Sequence, residues 1–190
     1  MVRQLLVSIL FCGCTLGMSA EDGSRLWLRQ VNSGNATVNC LLHSRTLDIA
    51  KSEIAKGWKG APVSLQLCNG AEYESLGGEG YTIRSVGGNI EIGSVSEVGL
   101  LYGTYHLLRL QEMKADVSKL DIKEKPAYSL RILNHWDNLD GTIERGYAGH
   151  SLWKWEDLPA TISPRYEEYA RANASVGING TVLNLSLIHI

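Results

Sequence analysis

The chain has 190 residues, 44 % of them apolar and 20 % charged, with 20 glycines and a formal net charge of −2. These proportions suit a globular protein rich in tight turns and exclude a collagen-like or disordered chain. A charge so near zero provides no electrostatic footprint for nucleic acid or an anionic membrane.

The first twenty residues predict an export signal. Arg3 gives a positive start, Leu5 to Cys12 is an apolar run too short to cross a bilayer, and Met18-Ser19-Ala20 precedes the acidic Glu21-Asp22. Cleavage is expected after Ala20, so the protein is expected in the periplasm or outside the cell. Phe11-Cys12-Gly13-Cys14 resembles a lipoprotein box, which leaves a lipid anchor on Cys14 as the alternative. The remaining cysteines, Cys40 and Cys68, fall in predicted strands and are expected either joined or buried as free thiols. No metal site and no cofactor is expected.

Val38 to Leu42 reads as a strand. Thr46 to Lys56 reads as a helix with Leu47, Ala50, Ile54 and then Trp58 on one face, and Gly57 as its C-cap glycine. Pro62 to Cys68 alternates, with Val63, Leu65 and Leu67 against Ser64 and Gln66, as in a half-buried strand. Tyr81 to Arg84 and Asn89 to Ile92 predict a hairpin around Gly87-Gly88. Ser94-Val95-Ser96-Glu97 fits a capping box for a helix reaching about Met113, with Val98, Leu101, Tyr105 and Leu108 as its apolar stripe. A small sheet with helices on one face would bury both stripes and form a domain over residues 21–125. Asp121 to Lys125, charged and closed by Pro126, reads as a linker.

Beyond Pro126, Tyr128 to Leu133 predicts a strand, Arg165 to Asn173 a helix and Gly177 to Leu183 another strand. That order is one right-handed crossover unit. Its parallel strands require parallel neighbours that residues 126–190 do not supply, which predicts a barrel cut short. The loop after Leu133 continues RILNHWDNLDGTIERGY, and Trp136, Trp153 and Trp155 all fall between positions 136 and 155. Flat rings beside polar groups suit the faces and hydroxyls of sugars. Arg145 can hold a carboxylate through two parallel bonds, and Glu144 can orient it or bind a hydroxyl. In barrel enzymes, loops at the C-terminal ends of strands build the active site.

Plainer explanations compete residue by residue. A tryptophan near a strand end is more often core. Asp137-Asn138 and Asp140-Gly141 suit turns, and Glu144 with Arg145 suits an ion pair. His135 and His150 match no familiar ligand spacing. The density of these residues in one loop is what favours a binding site.

The segment HWDNLDGTIERGYAGHSLWKW, followed by YARANASVGINGTVLN, resembles the family 67 α-glucuronidases. The preceding EGYTIRSVGGNIEIGSVSEVGLLYGTYHLLRLQ resembles that family's N-terminal domain, a small α/β layer shared with β-hexosaminidases. The resemblance runs from Leu26 to Asn184. It implies an α/β chain: a small two-layer α/β N-terminal domain, then the first strands of a truncated (β/α)8 barrel over residues 126–190. It implies removal of glucuronic acid, or its 4-O-methyl ether, from xylo-oligosaccharides in xylan breakdown, at an α-1,2 bond and with inversion. Inversion needs two carboxyl groups, and the resemblance places both on later strands, so this chain alone is expected to be inactive. It assigns Glu144 and Arg145 to the uronic acid, with Trp136, Asp137 and Asn138 at the strand end and Trp155 or Trp153 as walls; Lys154 and Arg131 are further candidates. A homodimer of the complete enzyme is left open. The ending LSLIHI departs from the family pattern and reads as a truncated gene product. A sugar-binding module and a hexosaminidase-type glycosidase are the alternatives, and the Glu-Arg-Gly-Tyr loop argues against the second.

Overall fold

A computed structural model describes residue 28 and residues 34–138, 140–144 and 146–185. The expected signal with Cys14, the side chain of Arg145 and residues 186–190 lie outside the described residues. In chain order the elements are β1 (Val38–Asn39), α1 (Arg45–Gly57), β2 (Val63–Leu67), a short α2 (Ala71–Glu74), β3 (Tyr81–Val86), β4 (Asn89–Ser94), α3 (Glu97–Glu112) and β5 (Asp121–Glu124). After these come β6 (Ile132–Asp137), α4 (Pro164–Ser175) and β7 (Gly180–Leu185).

The chain is mixed α/β, built on two sheets. The first is five-stranded in the order β1-β2-β4-β3-β5; β1, β2 and β4 run parallel, and β3 is antiparallel to both β4 and β5. Gly87 and Gly88 close the β3–β4 hairpin with φ of 57° and 82°, the paired positive values a two-residue turn needs. Helices α1 and α3 pack on each other, and α3 lies on β2, β3 and β4. Leu47 and Ile54 of α1, Leu100 and Leu107 of α3, and Val63, Ile83 and Ile92 of the sheet are fully buried in one cluster with Trp58.

Several expectations shift by a few residues, each for a local reason. Gly57 is the last helical residue rather than a left-handed cap. A Cβ there would lie 3.1 Å from a Leu108 methyl, so its bareness lets α1 approach α3. The cap of α3 is Ser96, whose Oγ accepts from Gly99 N–H at 3.1 Å. Ser94 is still in β4, and its hydroxyl donates to the Gly80 carbonyl at 2.6 Å. Glu97 then accepts from Ser44 Oγ at 2.6 Å, and Ser44 itself caps α1. The buried stripe of α3 includes Leu100, Thr104, Leu107 and Leu108, while Val98 is exposed. Leu67, expected on the buried side of β2, is exposed as well. Cys40 and Cys68 are free thiols, and both lie just outside strands.

The expected linker is the edge strand β5. An edge strand tolerates charge because only one side is paired. Ile122 lies opposite Ile83, Asp121 accepts from Arg84 Nε at 3.2 Å, and Lys123 Nζ lies 2.7 Å from Glu72.

The second sheet is β6 beside β7, parallel, with Ile132 opposite Gly180 and Asp137 opposite Leu185. Helix α4 connects them and packs on α3. Arg171 of α4 makes two bonds to Glu53 of α1, at 2.6 and 2.8 Å, and its guanidinium sits 5.9 Å from the Tyr105 ring centre. Strand β6 starts four residues later than its sequence predicts. The main chain of Arg131 is bound at both its N–H and its carbonyl by Asn179, so strand pairing begins one residue on. His135, Trp136 and Asp137 are therefore strand residues, and the loop begins at Asn138.

Candidate functional site

Alternation along β6 sorts its residues. Leu133, His135 and Asp137 share one face; Ile132, Asn134 and Trp136 share the other, which is exposed. On the first face His135 Nε2 lies 2.6 Å from Tyr169 Oη of α4. The Trp153 ring stands 4.6 Å from the ring of Tyr166, 5.5 Å from Tyr169 and 5.7 Å from His135, centre to centre. Trp153 is thus packing between the loop and α4. Lys154 is exposed, with its main-chain N–H donating to Tyr166 Oη at 2.9 Å.

Asp137 is fully buried. Its Oδ2 accepts from Ser151 Oγ and, at 3.1 Å, from Trp155 Nε1. Ser151 Oγ also accepts from the Trp153 N–H at 2.9 Å, so one carboxylate ties the stretch 151–155 to the strand end. Asn138, also buried, organises the near half of the loop. Its N–H donates to the Thr142 carbonyl at 2.8 Å, and its Nδ2 donates to Thr142 Oγ1 at 2.8 Å and to the Glu144 carbonyl at 2.6 Å. Asp140 Oδ1 accepts from the N–H and hydroxyl of Thr142 at 2.9 and 2.7 Å, which holds its carboxyl below the usual range. Asn138 and Asp140 therefore do perform turn chemistry.

Glu144 occupies the left-handed region at φ 57°, uncommon for a residue with a side chain. It is kept there by its N–H donating to the Trp136 carbonyl at 3.0 Å and by the Asn138 bond to its own carbonyl. Its carboxylate is exposed and accepts from Tyr147 Oη at 3.0 Å, a bond that raises the Tyr147 pKa. Backbone held in a sparse region is a feature that gathers at ligand sites. Trp136 is 48 % exposed and Tyr147 75 %. The loop thus turns a ring, a carboxylate and a phenol outward, on a frame fastened by buried polar groups.

The structure brings Asp137, Asn138, Trp155 and the Glu144 backbone into one bonded unit. Arg131 stands at the opposite end of β6. Ser151, Thr142 and Tyr147 join the site without having been singled out from sequence. Tyr147 sits inside the Glu-Arg-Gly-Tyr motif, and Tyr166 and Tyr169, three apart on a helix, share a face that the spacing could have shown. No local signal marks Ser151. Among the described residues no cluster of three His, Cys, Asp or Glu side chains could hold a metal ion.

Residues 110–187 match the glycosyl hydrolase family 67 middle domain. The chain is 33 % identical over 168 residues to a probable α-glucuronidase A of Aspergillus terreus, covering 88 % of this chain and 18 % of the relative. It is 38 % identical over 120 residues to a probable α-glucuronidase A of Aspergillus oryzae, covering 63 % of this chain and 14 % of the relative. The chain therefore spans less than a fifth of the length of these two curated relatives. A solved structure of a family 138 glycoside hydrolase targeting pectin rhamnogalacturonan II shares 16 % identity, with a TM-score of 0.50 over 78 % of this chain and 18 % of that one, a likeness of fold alone.

Proposed function

The chain belongs to glycosyl hydrolase family 67, and on that premise we propose that the complete protein is an exported α-glucuronidase. Its substrates are xylo-oligosaccharides bearing α-1,2-linked glucuronic acid or the 4-O-methyl ether. The observation that carries this reading is the loop 138–151: placed at the C-terminal end of β6, it presents Trp136, Glu144 and Tyr147 outward beside position 145.

Each group has a task in this reading. Trp136 offers its face to the C–H side of a sugar ring. Arg145 grips the uronate carboxylate through two parallel bonds. Glu144, steadied by Tyr147, accepts from a hydroxyl. Asp137, Asn138 and Trp155 serve from behind, as the fastening that keeps the loop in shape. Residues 21–125 form the small α/β domain, and residues 126–190 open a (β/α)8 barrel. The parallel β6–α4–β7 order supports that view, as do the exposed Ile132, Trp136 and Val182 on the strands. Inverting hydrolysis protonates the leaving oxygen with one carboxyl and activates water with another. Both belong to later strands, so the residues present here bind and orient.

The test is to incubate the complete protein with aldouronic oligosaccharides and follow the products by NMR. Free glucuronic acid released first as the β-anomer is the expected result. Binding without release would make the protein a sugar-binding module, and release of N-acetylhexosamine instead would place it among the hexosaminidases; either overturns the proposal.

A further inference from the structure

The turn before β3 carries Glu79, whose side chain reaches from the first sheet to the second. Its Oε2 lies 2.8 Å from Arg131 Nη1, and its Oε1 accepts from Asn179 Nδ2 at 3.0 Å. Arg131 is the residue immediately before β6, and Asn179 the residue immediately before β7. One carboxylate thus places one oxygen on the start of each parallel strand. Asn179 completes the bracket. Its Oδ1 accepts from the Arg131 N–H at 2.9 Å, its own N–H donates to the Arg131 carbonyl at 2.9 Å, and its Nδ2 also donates to the Ser129 carbonyl at 2.7 Å. Arg131 is fixed further by donating from Nε to the Gly177 carbonyl at 2.5 Å and from Nη1 to the Tyr128 carbonyl at 2.6 Å. Its guanidinium stands 5.7 Å from the ring centre of Tyr102 on α3. Burial pushes the Glu79 carboxyl up, but the Asn179 and Arg131 bonds together hold it below the usual range.

An isolated surface ion pair contributes little, because two long side chains must be ordered for a screened attraction. This one is a network in which the guanidinium and amide are already held by main-chain groups, so less ordering is lost on adding the carboxylate. We propose that Glu79 is a positioning residue: the first unit sets the stagger of β6 against β7 through it, and thereby sets where Trp136 and the loop 138–151 stand. The strand transmits the setting, since five steps of about 3.3 Å separate Ile132 from Asp137. A one-residue slip would turn the exposed face of β6 inward. The kinetic readout below rests on the proposed sugar site; the exchange readout does not.

The experiment compares Glu79→Gln and Glu79→Ala in the complete protein by amide hydrogen exchange and by kinetics on aldouronic oligosaccharides. Gln matches Glu in shape but has one acceptor oxygen, so it can hold one strand and not both. Expected is about tenfold faster exchange across β6 and β7 in Glu79→Ala, an intermediate change in Glu79→Gln, and unchanged exchange in α1. The value of kcat/KM should fall in the same order. Unchanged protection in Glu79→Ala would overturn the proposal. So would wild-type behaviour of Glu79→Gln beside a defective Ala variant, which would mean that shape matters rather than the pair of acceptors. Faster exchange spread evenly through the first unit would overturn it too. If the wild-type protein releases no glucuronic acid, the functional reading falls, while the exchange pattern still decides the role of Glu79.

Discussion

Trp155 is an aromatic residue whose polar edge is committed to a buried carboxylate. Replacing it with Phe removes the Nε1 donor to Asp137 and leaves that carboxylate one bond poorer. A loss of about 1–3 kcal/mol is expected, since a buried acceptor deprived of its donor bears its full desolvation cost. Urea unfolding of the complete protein would measure it; an unchanged midpoint would mean that the 151–155 stretch is fastened by other means. Arg145→Ala carries the opposite kind of prediction. It should leave stability nearly untouched and weaken uronic acid substrates by roughly 1.5–3 kcal/mol, about ten- to a hundredfold in KM. An equal loss on neutral oligosaccharides would refute the carboxylate role. The sequence shows these residues as one dense set, but it does not separate outward from inward members. That division depends on strand parity, and parity depends on where β6 begins. With the start moved from Tyr128 to Ile132, Trp136 and Asp137 become strand neighbours facing opposite ways.

Among the elements, α3 shows how tightly the first unit is built. Gly103 faces β4, and a Cβ there would lie 2.6 Å from Ile92 Cγ2. Gly103→Ala should therefore destabilise by about 1–3 kcal/mol despite the better helix propensity of alanine, because the helix must lift from the sheet. A thermal melt distinguishes this from the small gain that propensity alone predicts. Helices α1 and α3 and the β3–β4 hairpin are legible in the sequence, since apolar residues recur with the helical period and Gly87-Gly88 marks the turn. The cap of α3 is two residues off because two serines compete for the role, and the contest is decided by the distant Gly80 carbonyl, which engages Ser94. Strand β5 reads as a linker because an edge strand with one inward residue, Ile122, carries almost no alternation.

At the scale of the whole molecule, the two sheets are joined by charge as well as by packing. Glu53 is 6 % exposed and receives Arg171 through two bonds. Arg171→Ala should cost roughly 3 kcal/mol, the low end for breaking a buried pair by removing one partner. Scanning calorimetry of the complete protein would show the loss; a change below about 1 kcal/mol would mean that the pair behaves as an exposed one. The broad order of units is legible in the sequence, because hydrophobic periods and turn residues are local. The joint between them is not. Glu53 and Arg171 lie 118 positions apart, and neither is unusual for the helix it occupies.

Glu144 holds a backbone shape that glycine or asparagine would adopt with less strain, by roughly 1 kcal/mol. A library selected only for heat resistance should therefore drift toward those residues at this position and shed the carboxylate with no penalty visible to the screen. Selection on substrate turnover should restore Glu144 from the same pool, and the divergence of the two outcomes would expose a conflict between durability and use at a single codon.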